Sequence, residues 1–301
     1  MAQRWGEGEA ACSSRPRSSG ALLRAAKLRV ENLAQSLRLR TTYTWQEVKR
    51  CPLCAGTVLL PSASYRQGLL GLRFQACQEC GLVVQSPRLT SGSLARYYRR
   101  EYRASLKRGV DAAHCEPLFQ RGIRRGTYIA GFLEEHGVTL SGKQVYEVGC
   151  AYGGILAYFQ SRGCRVRGCD VSAVAVAYGR SRGLDLAVGS VELLQGSRQQ
   201  VDLLILSHVL EHIEEPHAFL ETVRHALASA GVLYVEVPGL AAAKDRRRQF
   251  LQLGHLMHFR LDNLRRLLES AGFSFVAGNE VVQALFRVGR SSAGKPEDAV
   301  G

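Results

Sequence analysis

The stretch SHVLEHI, residues 207–213, contains three side chains that could bind a metal or move a proton. His208, Glu211 and His212 have the spacing H-x-x-E-H, by which one class of metallopeptidase helix holds zinc. Such a peptidase needs the motif inside a long helix and a further carboxylate ligand downstream. Here the motif directly follows an apolar run and reaches Pro216 within about two helical turns. We therefore expect no zinc hydrolase at these residues.

Four of the nine cysteines form two pairs with metal-ligand spacing. CPLC supplies Cys51 and Cys54, and CQEC supplies Cys77 and Cys80. Two C-x2-C pairs let four thiolates converge tetrahedrally on one Zn2+, and a shell of four cysteines leaves no position for water. The spacing therefore predicts a structural zinc rather than a catalytic one.

A glycine-containing loop follows an apolar run in VYEVGCAYGG, residues 145–154. Gly149 and Gly153 permit a tight turn and a close approach of the backbone to a ligand. The order Gly149, Ala151, Gly153 departs from the G-x-G-x-x-G fingerprint of dinucleotide-binding proteins. Asp170, after the next apolar run, could accept hydrogen bonds from both hydroxyls of a ribose. Together these features indicate a ligand that contains a ribose.

From about Lys143 onward, short apolar runs alternate with amphipathic helices, which is typical of a parallel α/β sheet. The last two of the predicted strands are expected to form a terminal hairpin. The predicted strands are 144–148, 165–169, 184–188, 201–206, 232–237, 273–277 and 281–288. The predicted helices between them are 153–161, 173–181, 217–228 and 262–271.

The N-terminal third divides by composition into three parts. Residues 1–49 comprise a start that we expect to be disordered and a basic amphipathic helix from Leu22. Such a helix can lie on anionic lipid through residues 20–40 or pack on its own protein, and both interpretations stay open. A zinc-binding module is predicted at 50–90 and a helical linker or lid at 91–142. The α/β domain then spans 143–289, and 290–301 has the composition of a loose tail.

The net charge favours anionic partners. Forty Lys and Arg residues against 26 Asp and Glu residues give a formal charge of +14, which suits nucleic acid, phosphorylated sugars or an acidic membrane face. No apolar run approaches the roughly 20 residues of a membrane span, and the first residues lack the apolar core of a signal peptide. We therefore expect a cytoplasmic protein.

Four motifs in the α/β region together resemble the class I S-adenosylmethionine-dependent methyltransferases. They are E-x-G-C-A-x-G, G-x-D-x-S, VDLLILSHVLEHI and GVLYVEVPG, and the resemblance covers roughly residues 143–288. The resemblance implies a Rossmann-like seven-stranded sheet behind a small N-terminal zinc-binding module. It places one group of residues at the methionine half of the cofactor, Asp170 at its ribose, Ser190 near its adenine, and Ser207 and His208 beside the sulfonium. The methionine-half group is Glu147, Gly149, Ala151 and Gly153, and the neighbours Cys150 and Val171 are further predicted contacts.

The N-terminal cysteine segment, with its YY-containing helix, resembles that of bacterial methyltransferases of sugar and polysaccharide biosynthesis. GHLMHF, residues 254–259, is similar to their E-H-x-x-H-F segment over the active site, with Gly254 in place of the glutamate. This resemblance implies a sugar or sugar-containing acceptor. It also makes His212, His255 and His258 candidates for the catalytic base, a role that suits a side chain titrating near neutral pH.

Two other functions stay open at this stage. A zinc module before a methyltransferase domain, on a chain of charge +14, could hold ribosomal or transfer RNA through phosphate contacts. Against this, the basic residues form no long stripe, and the zinc segment offers few aromatic side chains for base stacking. The fold could also serve as a non-catalytic interaction module, but the intact cofactor motifs argue against that.

Overall fold

The computed structural model of the chain describes residues 30, 33–67, 69–100, 112–195, 200–240 and 251–289. The predicted disordered start and loose tail lie outside these residues. Within the described part, no helix combines the length and the hydrophobicity needed to cross a bilayer.

The N-terminal part is a small framework of antiparallel strands around the two cysteine pairs. Strands β2 and β3 form a hairpin, β4 pairs with β3, and β1 pairs with β5. Helix α1 follows and carries Tyr97 and Tyr98, as the YY motif predicts. The bounds are β1 Trp45–Gln46, β2 Leu59–Gln67, β3 Leu70–Cys77, β4 Val83–Gln85, β5 Arg88–Leu89 and α1 Ser91–Arg100.

A second sheet of seven strands forms the centre of the chain, with the order β8-β7-β6-β9-β10-β13-β12. β6 to β10 are parallel, and β13 runs antiparallel between β10 and β12. This confirms the Rossmann-like seven-stranded sheet and the terminal hairpin. The bounds of its seven strands are β6 Gln144–Val148, β7 Arg165–Asp170, β8 Asp185–Val188, β9 Val201–Ser207, β10 Leu227–Glu236, β12 Phe273–Gly278 and β13 Gln283–Val288. Strand β11, Met257–His258, belongs to the small N-terminal sheet instead.

Helices cover the sheet because its central strands are apolar on both faces. In β9 the run Leu203–Leu206 is wholly buried, as expected for a parallel strand with a helical layer on each side. The helices are α2 Ala112–Glu135, α3 Gly154–Ser161, α4 Ala173–Ser181, α5 Pro216–Ala226 and α6 Leu261–Ser270.

The structure corrects the predicted boundary between α5 and β10. The helix ends at Ala226 rather than 228, and the strand begins at Leu227 rather than 232. The pairing of β10 with β9 shifts between Leu227 and Val232. At this irregularity a Cβ on Gly231 would lie 2.8 Å from the carbonyl oxygen of Ala228. The backbone therefore bends closely on itself here, before the apolar run of the strand begins.

The H-x-x-E-H motif lies in a short 3-10 turn, Leu210–His212, immediately after β9. This confirms that the motif is not part of a long helix. The turn places its polar side chains at the carboxyl edge of the seven-stranded sheet, where open α/β sheets bind ligands.

The predicted N-terminal amphipathic helix is described only in part. Residues 33–41 are helical, and Leu33 and Leu37 of the predicted apolar face are exposed, as is Val30. Ser36 and Leu39 are the buried residues of this helix. The face that contacts the protein is therefore not the apolar face that the sequence pattern indicated.

The two sheets are joined by a short strand from the second half of the chain. β11 pairs antiparallel with β4, so it forms the edge of the small N-terminal sheet. Just before it, the Leu256 amide donates to the carbonyl of Glu211 at 2.8 Å, and the Leu256 carbonyl accepts from the amide of Gln85 at 3.0 Å. The N-terminal sheet with the two cysteine pairs is thus tied to the turn after β9.

Helices α2 and α3 meet through glycines. A Cβ on Gly154 would lie 2.2 Å from the carbonyl oxygen of Phe119 and 2.8 Å from Cα of Gly122. Because both atoms belong to backbone, neither can move without shifting α2. This contact holds α2 over the loop from which α3 begins.

We predict that Gly154→Ala lowers the free energy of unfolding by about 1–3 kcal/mol, because the added methyl group overpacks a backbone contact. Gly131→Ala is the matched control, since Gly131 is an exposed residue of α2 and a Cβ placed there would have nothing within 4 Å. That change should raise stability by about 0.5–1 kcal/mol through helix propensity. Denaturant unfolding measures the free energy of unfolding of both variants. An equal change in the two would show that the contact at Gly154 does not exclude a methyl group.

Candidate active site

The loop between β6 and α3 brings backbone groups to the carboxyl edge of the sheet. Gly149 and Gly153 have φ values of +75° and +79°, in the left-handed region that favours glycine. Ala151 between them has φ of +48°. A Cβ on Gly149 would lie 2.6 Å from Cγ2 of Val209, so the loop packs directly against the turn after β9. The predicted cofactor loop and the H-x-x-E-H turn are therefore neighbours.

Asp170 ends β7 and faces this loop. Its Oδ2 accepts a hydrogen bond from the amide of Ala151 at 2.9 Å, and its Oδ1 accepts one from the amide of Ser172 at 2.8 Å. Each carboxylate oxygen has a second acceptor position, so the group can also accept from a ligand's hydroxyls. The adjacent Val171 is 60% exposed, which leaves an apolar surface beside the carboxylate.

The remaining predicted cofactor contacts lie at the ends of adjoining strands. Cys150 is buried beneath the loop. Ser190 follows β8, and its amide donates to the carboxylate of Glu192 at 2.7 Å. Ser207 ends β9, and its hydroxyl donates to Glu236 at 3.4 Å. The sheet thus brings all of these residues to one edge.

Glu147 is a buried carboxylate in β6. Its Oε2 has no hydrogen-bond partner among the described residues. Burial and the nearby charge of Asp170 raise its pKa to about 8, against the opposing effect of Arg125. A buried acid that lacks a full set of partners suits a ligand that brings positive charge.

Arg125 and Glu236 join the site without having been predicted. Arg125 in α2 donates from Nε to Oε2 of Glu236 at 3.0 Å, and its Nη2 contacts both Glu236 and Nε2 of His208. A guanidinium can only donate, so His208 accepts at Nε2 and carries its hydrogen on Nδ1. The position of Glu236 at the end of an apolar strand could have identified it. Nothing in the sequence around Arg125 distinguishes it from the other arginines.

His212 is fixed by the segment that precedes β11. Its Nδ1 lies 2.7 Å from the carbonyl oxygen of Gly254 and 2.7 Å from the hydroxyl of Tyr98. Because a carbonyl only accepts, Nδ1 carries the hydrogen and donates it, which leaves the lone pair on Nε2. A Cβ on Gly254 would lie 2.8 Å from the Tyr98 hydroxyl, so that hydroxyl occupies the space that a side chain at this position would need.

Glu211 is enclosed by the imidazoles of the motif. Its side chain is 1% exposed, and Oε1 lies 3.4 Å from Nδ1 of His208 and 3.7 Å from Nε2 of His212. Within the described residues neither carboxylate oxygen makes a hydrogen bond. Burial alone would raise the pKa of Glu211, but the neighbouring His212, His208 and His255 lower it to about 2. The structure therefore places a carboxyl group with a lowered pKa away from water.

The three histidines predicted as bases come together. The ring centroid of His255 is 4.9 Å from that of His212 and 6.0 Å from that of His258. His255 and His258 are buried, and burial lowers the pKa of His258 to about 4. His212, with 17% of its side chain exposed, is the most accessible of the three.

The four predicted metal-ligand cysteines also converge. Cys51 Sγ lies 3.5 Å from Cys80 Sγ, and Cys54 Sγ lies 3.5 Å from Cys77 Sγ. All four sulfurs are within 4.8 Å of one another, and none forms a disulfide. Four ligands at the usual Zn–S distance of about 2.3 Å would be about 3.8 Å apart. The cluster therefore has the dimensions of a tetrahedral metal site.

A sequence profile described as a methyltransferase domain matches residues 119–277. The ubiquinone biosynthesis O-methyltransferase of Idiomarina loihiensis is 28% identical over 111 residues, which are 35% of this chain and 46% of that protein. The chain thus matches about half the length of this curated relative.

Solved structures with a similar fold include a plantazolicin methyltransferase in complex with a triazolic desmethylPZN analog and SAH. It has a TM-score of 0.48 and 18% identity, covering 63% of this chain and 76% of that chain. The magnesium protoporphyrin IX methyltransferase from Synechocystis PCC 6803, with bound SAH, has a TM-score of 0.47 and 16% identity. It covers 65% of this chain and 98% of that chain.

We predict that Glu147→Gln changes how stability depends on pH. The folded-state pKa of about 8 lies above the unfolded value, so the native protein loses stability as pH rises from the unfolded pKa to the folded one. Glutamine cannot ionise, so the variant should gain about 2–3 kcal/mol relative to the parent between pH 5 and pH 7. Urea unfolding at both pH values measures this, and parallel pH profiles for the two proteins would contradict it.

Proposed function

Because this chain belongs to the methyltransferase domain family, we propose that it transfers a methyl group from S-adenosylmethionine to an oxygen of a sugar or sugar-containing acceptor. One observation carries the proposal: the glycine loop, Asp170 and the incompletely paired Glu147 meet at the carboxyl edge of the sheet, next to a cluster of histidines. The first group suits the cofactor, and the second suits loss of a proton from the acceptor.

In this proposal the loop residues Gly149 to Gly153 bind the methionine half of the cofactor. Asp170 accepts hydrogen bonds from the ribose hydroxyls, and the exposed side chain of Val171 packs on the adenine, with Ser190 nearby. Glu147 supplies negative charge beneath a cofactor that carries an ammonium and a sulfonium. Burial and the charge of Asp170 raise its pKa, and a bound cation would lower that pKa again and so favour the ionised carboxylate.

The acceptor side is lined by groups that suit a hydroxyl-bearing molecule. A sulfonium methyl group is already activated, so the protein must align the acceptor, exclude water and assist loss of the hydroxyl proton. His212 is the most accessible of the three clustered histidines, and Tyr98 and His208 lie beside that cluster. Transfer to oxygen is also supported by the name of the relative from Idiomarina loihiensis. The cysteine segment and the GHLMHF segment favour a sugar among possible acceptors.

We also propose that Cys51, Cys54, Cys77 and Cys80 bind one structural Zn2+. The sulfur separations support this, and four thiolates fill the tetrahedral shell of the ion. The zinc would fix the end of β3 and hence its pairing with β4. Since β4 also pairs with β11, the ion would stabilise the segment that holds His212.

We predict that Asp170→Ala weakens binding of S-adenosylmethionine about a hundredfold, because it removes charge-assisted hydrogen bonds worth roughly 2–3 kcal/mol. Asp185→Ala is the matched control, since Asp185 is an exposed aspartate of the adjacent strand that pairs with Arg167. Isothermal titration of both variants measures the difference. Equal affinities of the parent and Asp170→Ala would show that the loop does not bind the ribose as proposed.

The acceptor class is tested with S-adenosylmethionine labelled in its methyl group. The purified protein is given nucleotide sugars, polysaccharide fragments, phenols and RNA, and we expect label only in the sugar-containing fraction. His212→Ala should lower kcat about a hundredfold with cofactor affinity unchanged, whereas His225→Ala, an exposed histidine at the end of α5, should have no effect. Label in phenols or RNA alone would contradict the sugar assignment and leave methyl transfer standing.

A further inference from the structure

We propose that Glu211, His212 and His255 bind a divalent transition-metal cation, with Zn2+ the best fit, at a site separate from the four cysteines. One ligand atom from each of these residues lies within 4.8 Å of the other two. Two imidazoles and one carboxylate form the ligand set of catalytic zinc sites, in which a further position stays open. Three features of the cluster favour an ion at this position.

The first argument is that Glu211 is buried without hydrogen-bond partners for its carboxylate oxygens among the described residues. The carboxylate is buried, and within the described part of the chain neither oxygen receives a hydrogen bond. Burying a carboxylate side chain is costly unless it is hydrogen-bonded, paired with a charge or coordinated to a metal. His212 Nε2, which carries no hydrogen, lies 3.7 Å from Oε1, so it makes no hydrogen bond to the carboxylate. Ligands at about 2.0–2.1 Å from a tetrahedral ion are about 3.4 Å apart, so this separation suits a shared ion.

The second argument is the orientation of His212. Its Nδ1 donates to the carbonyl of Gly254 at 2.7 Å, which directs the lone pair of Nε2 toward Glu211. Metal-bound histidines typically donate their other ring N–H to a carbonyl or carboxylate, because this bond fixes the tautomer and the ring orientation. Tyr98 adds a hydroxyl that donates to the same carbonyl at 3.1 Å. The outer partners of a metal ligand are therefore in place.

The third argument is that the backbone holds all three residues in position. The amide of Leu256 donates to the carbonyl of Glu211 at 2.8 Å, and the amide of His255 donates to the carbonyl of Gln252 at 3.0 Å. His255 itself is buried, with its ring 4.9 Å from that of His212. The ligands thus come from two segments joined by hydrogen bonds, and binding an ion would require little rearrangement.

The location of the ion suggests what it would do, and this step rests on the proposed function. His208 lies beside Glu211 and directly follows β9. The next residue, Val209, packs on the loop that is proposed to bind the cofactor. An ion with three protein ligands retains coordination positions for small molecules. It would bind oxygen atoms of the acceptor, orient them and make a bound hydroxyl easier to deprotonate. A sugar could supply one hydroxyl oxygen to the fourth position, or two neighbouring ones where the ion expands to five ligands.

Cobalt titration of the full chain tests the site without any acceptor. The metal-free protein is titrated with Co2+, whose bonds to thiolate produce intense charge-transfer absorption that bonds to histidine and carboxylate do not. We expect two equivalents to bind, one with the thiolate bands and one without them. A parent protein that binds one equivalent, with thiolate bands only, would overturn the proposal.

Two variants assign the second equivalent. Glu211→Gln preserves shape but removes the charge, and His255→Ala removes a ligand. Each should lower the affinity for the second Co2+ by more than about a hundredfold and leave the thiolate bands unchanged. Loss of a residue that only orients a metal ligand lowers metal affinity by up to about a hundredfold. His225→Ala, outside the cluster, should bind both equivalents. If both folded ligand variants keep the second equivalent, the assignment to this cluster is wrong.

The result separates the two proposals. The cobalt count does not depend on S-adenosylmethionine, and cofactor binding can be measured by calorimetry in the same preparations. Two equivalents without cofactor binding would sustain the metal site and contradict the proposed function. One equivalent, together with normal cofactor binding and methyl transfer, would contradict the second metal site and sustain the proposed function. His212 would then act as a base rather than as a metal ligand.

Discussion

The candidate site depends on the hydrogen bonds of one backbone unit, that of Leu256. Its amide holds the turn that carries Glu211, while its carbonyl holds Gln85 at the end of β4. β11 begins at the next residue and extends the pairing with β4. Because a ladder position cannot shift by one residue without reversing which side chains face inward, His255 and His258 are fixed relative to the N-terminal sheet. The geometry of the histidine cluster is therefore set by strands from both halves of the chain.

A second connection supports this junction. Glu214, just after the H-x-x-E-H turn, accepts hydrogen bonds from Gln46 at 2.6 Å and Arg88 at 3.2 Å. The Arg88 and Glu214 side chains are largely buried, so removal of either would leave an unpaired charge at the interface. The N-terminal sheet is thus part of the support for the active-site turn, rather than a separate appendage. A metal ion bound by the cysteine cluster would stabilise this junction from a distance, since Cys77 ends β3 and β3 pairs with β4.

The sequence predicted those features that depend on local pattern. The parallel strands of the large sheet, the turn at Gly149 and the grouping of four cysteines all follow from periodicity or spacing within short segments. The pairing of β4 with β11 could not be predicted, because it joins residues far apart in the chain and β11 has only two residues. The position of Arg125 over Glu236 likewise depends on how α2 packs. The exposure of Leu33 and Leu37 shows the same limit, since the apolar stripe predicted a helix but not which face contacts the protein.

Three buried carboxylates surround the proposed cofactor site, and their surroundings give them different roles. Glu236 is paired with the guanidinium of Arg125, and Glu211 lies among imidazoles that lower its pKa. Glu147 lies next to the negative charge of Asp170, and its pKa is raised rather than lowered. A cationic ligand at this edge would favour ionisation of Glu147, and part of its binding free energy would be spent on removing that proton. Binding of S-adenosylmethionine would then be coupled to release of a proton from Glu147, whereas the histidine cluster would handle the proton of the acceptor.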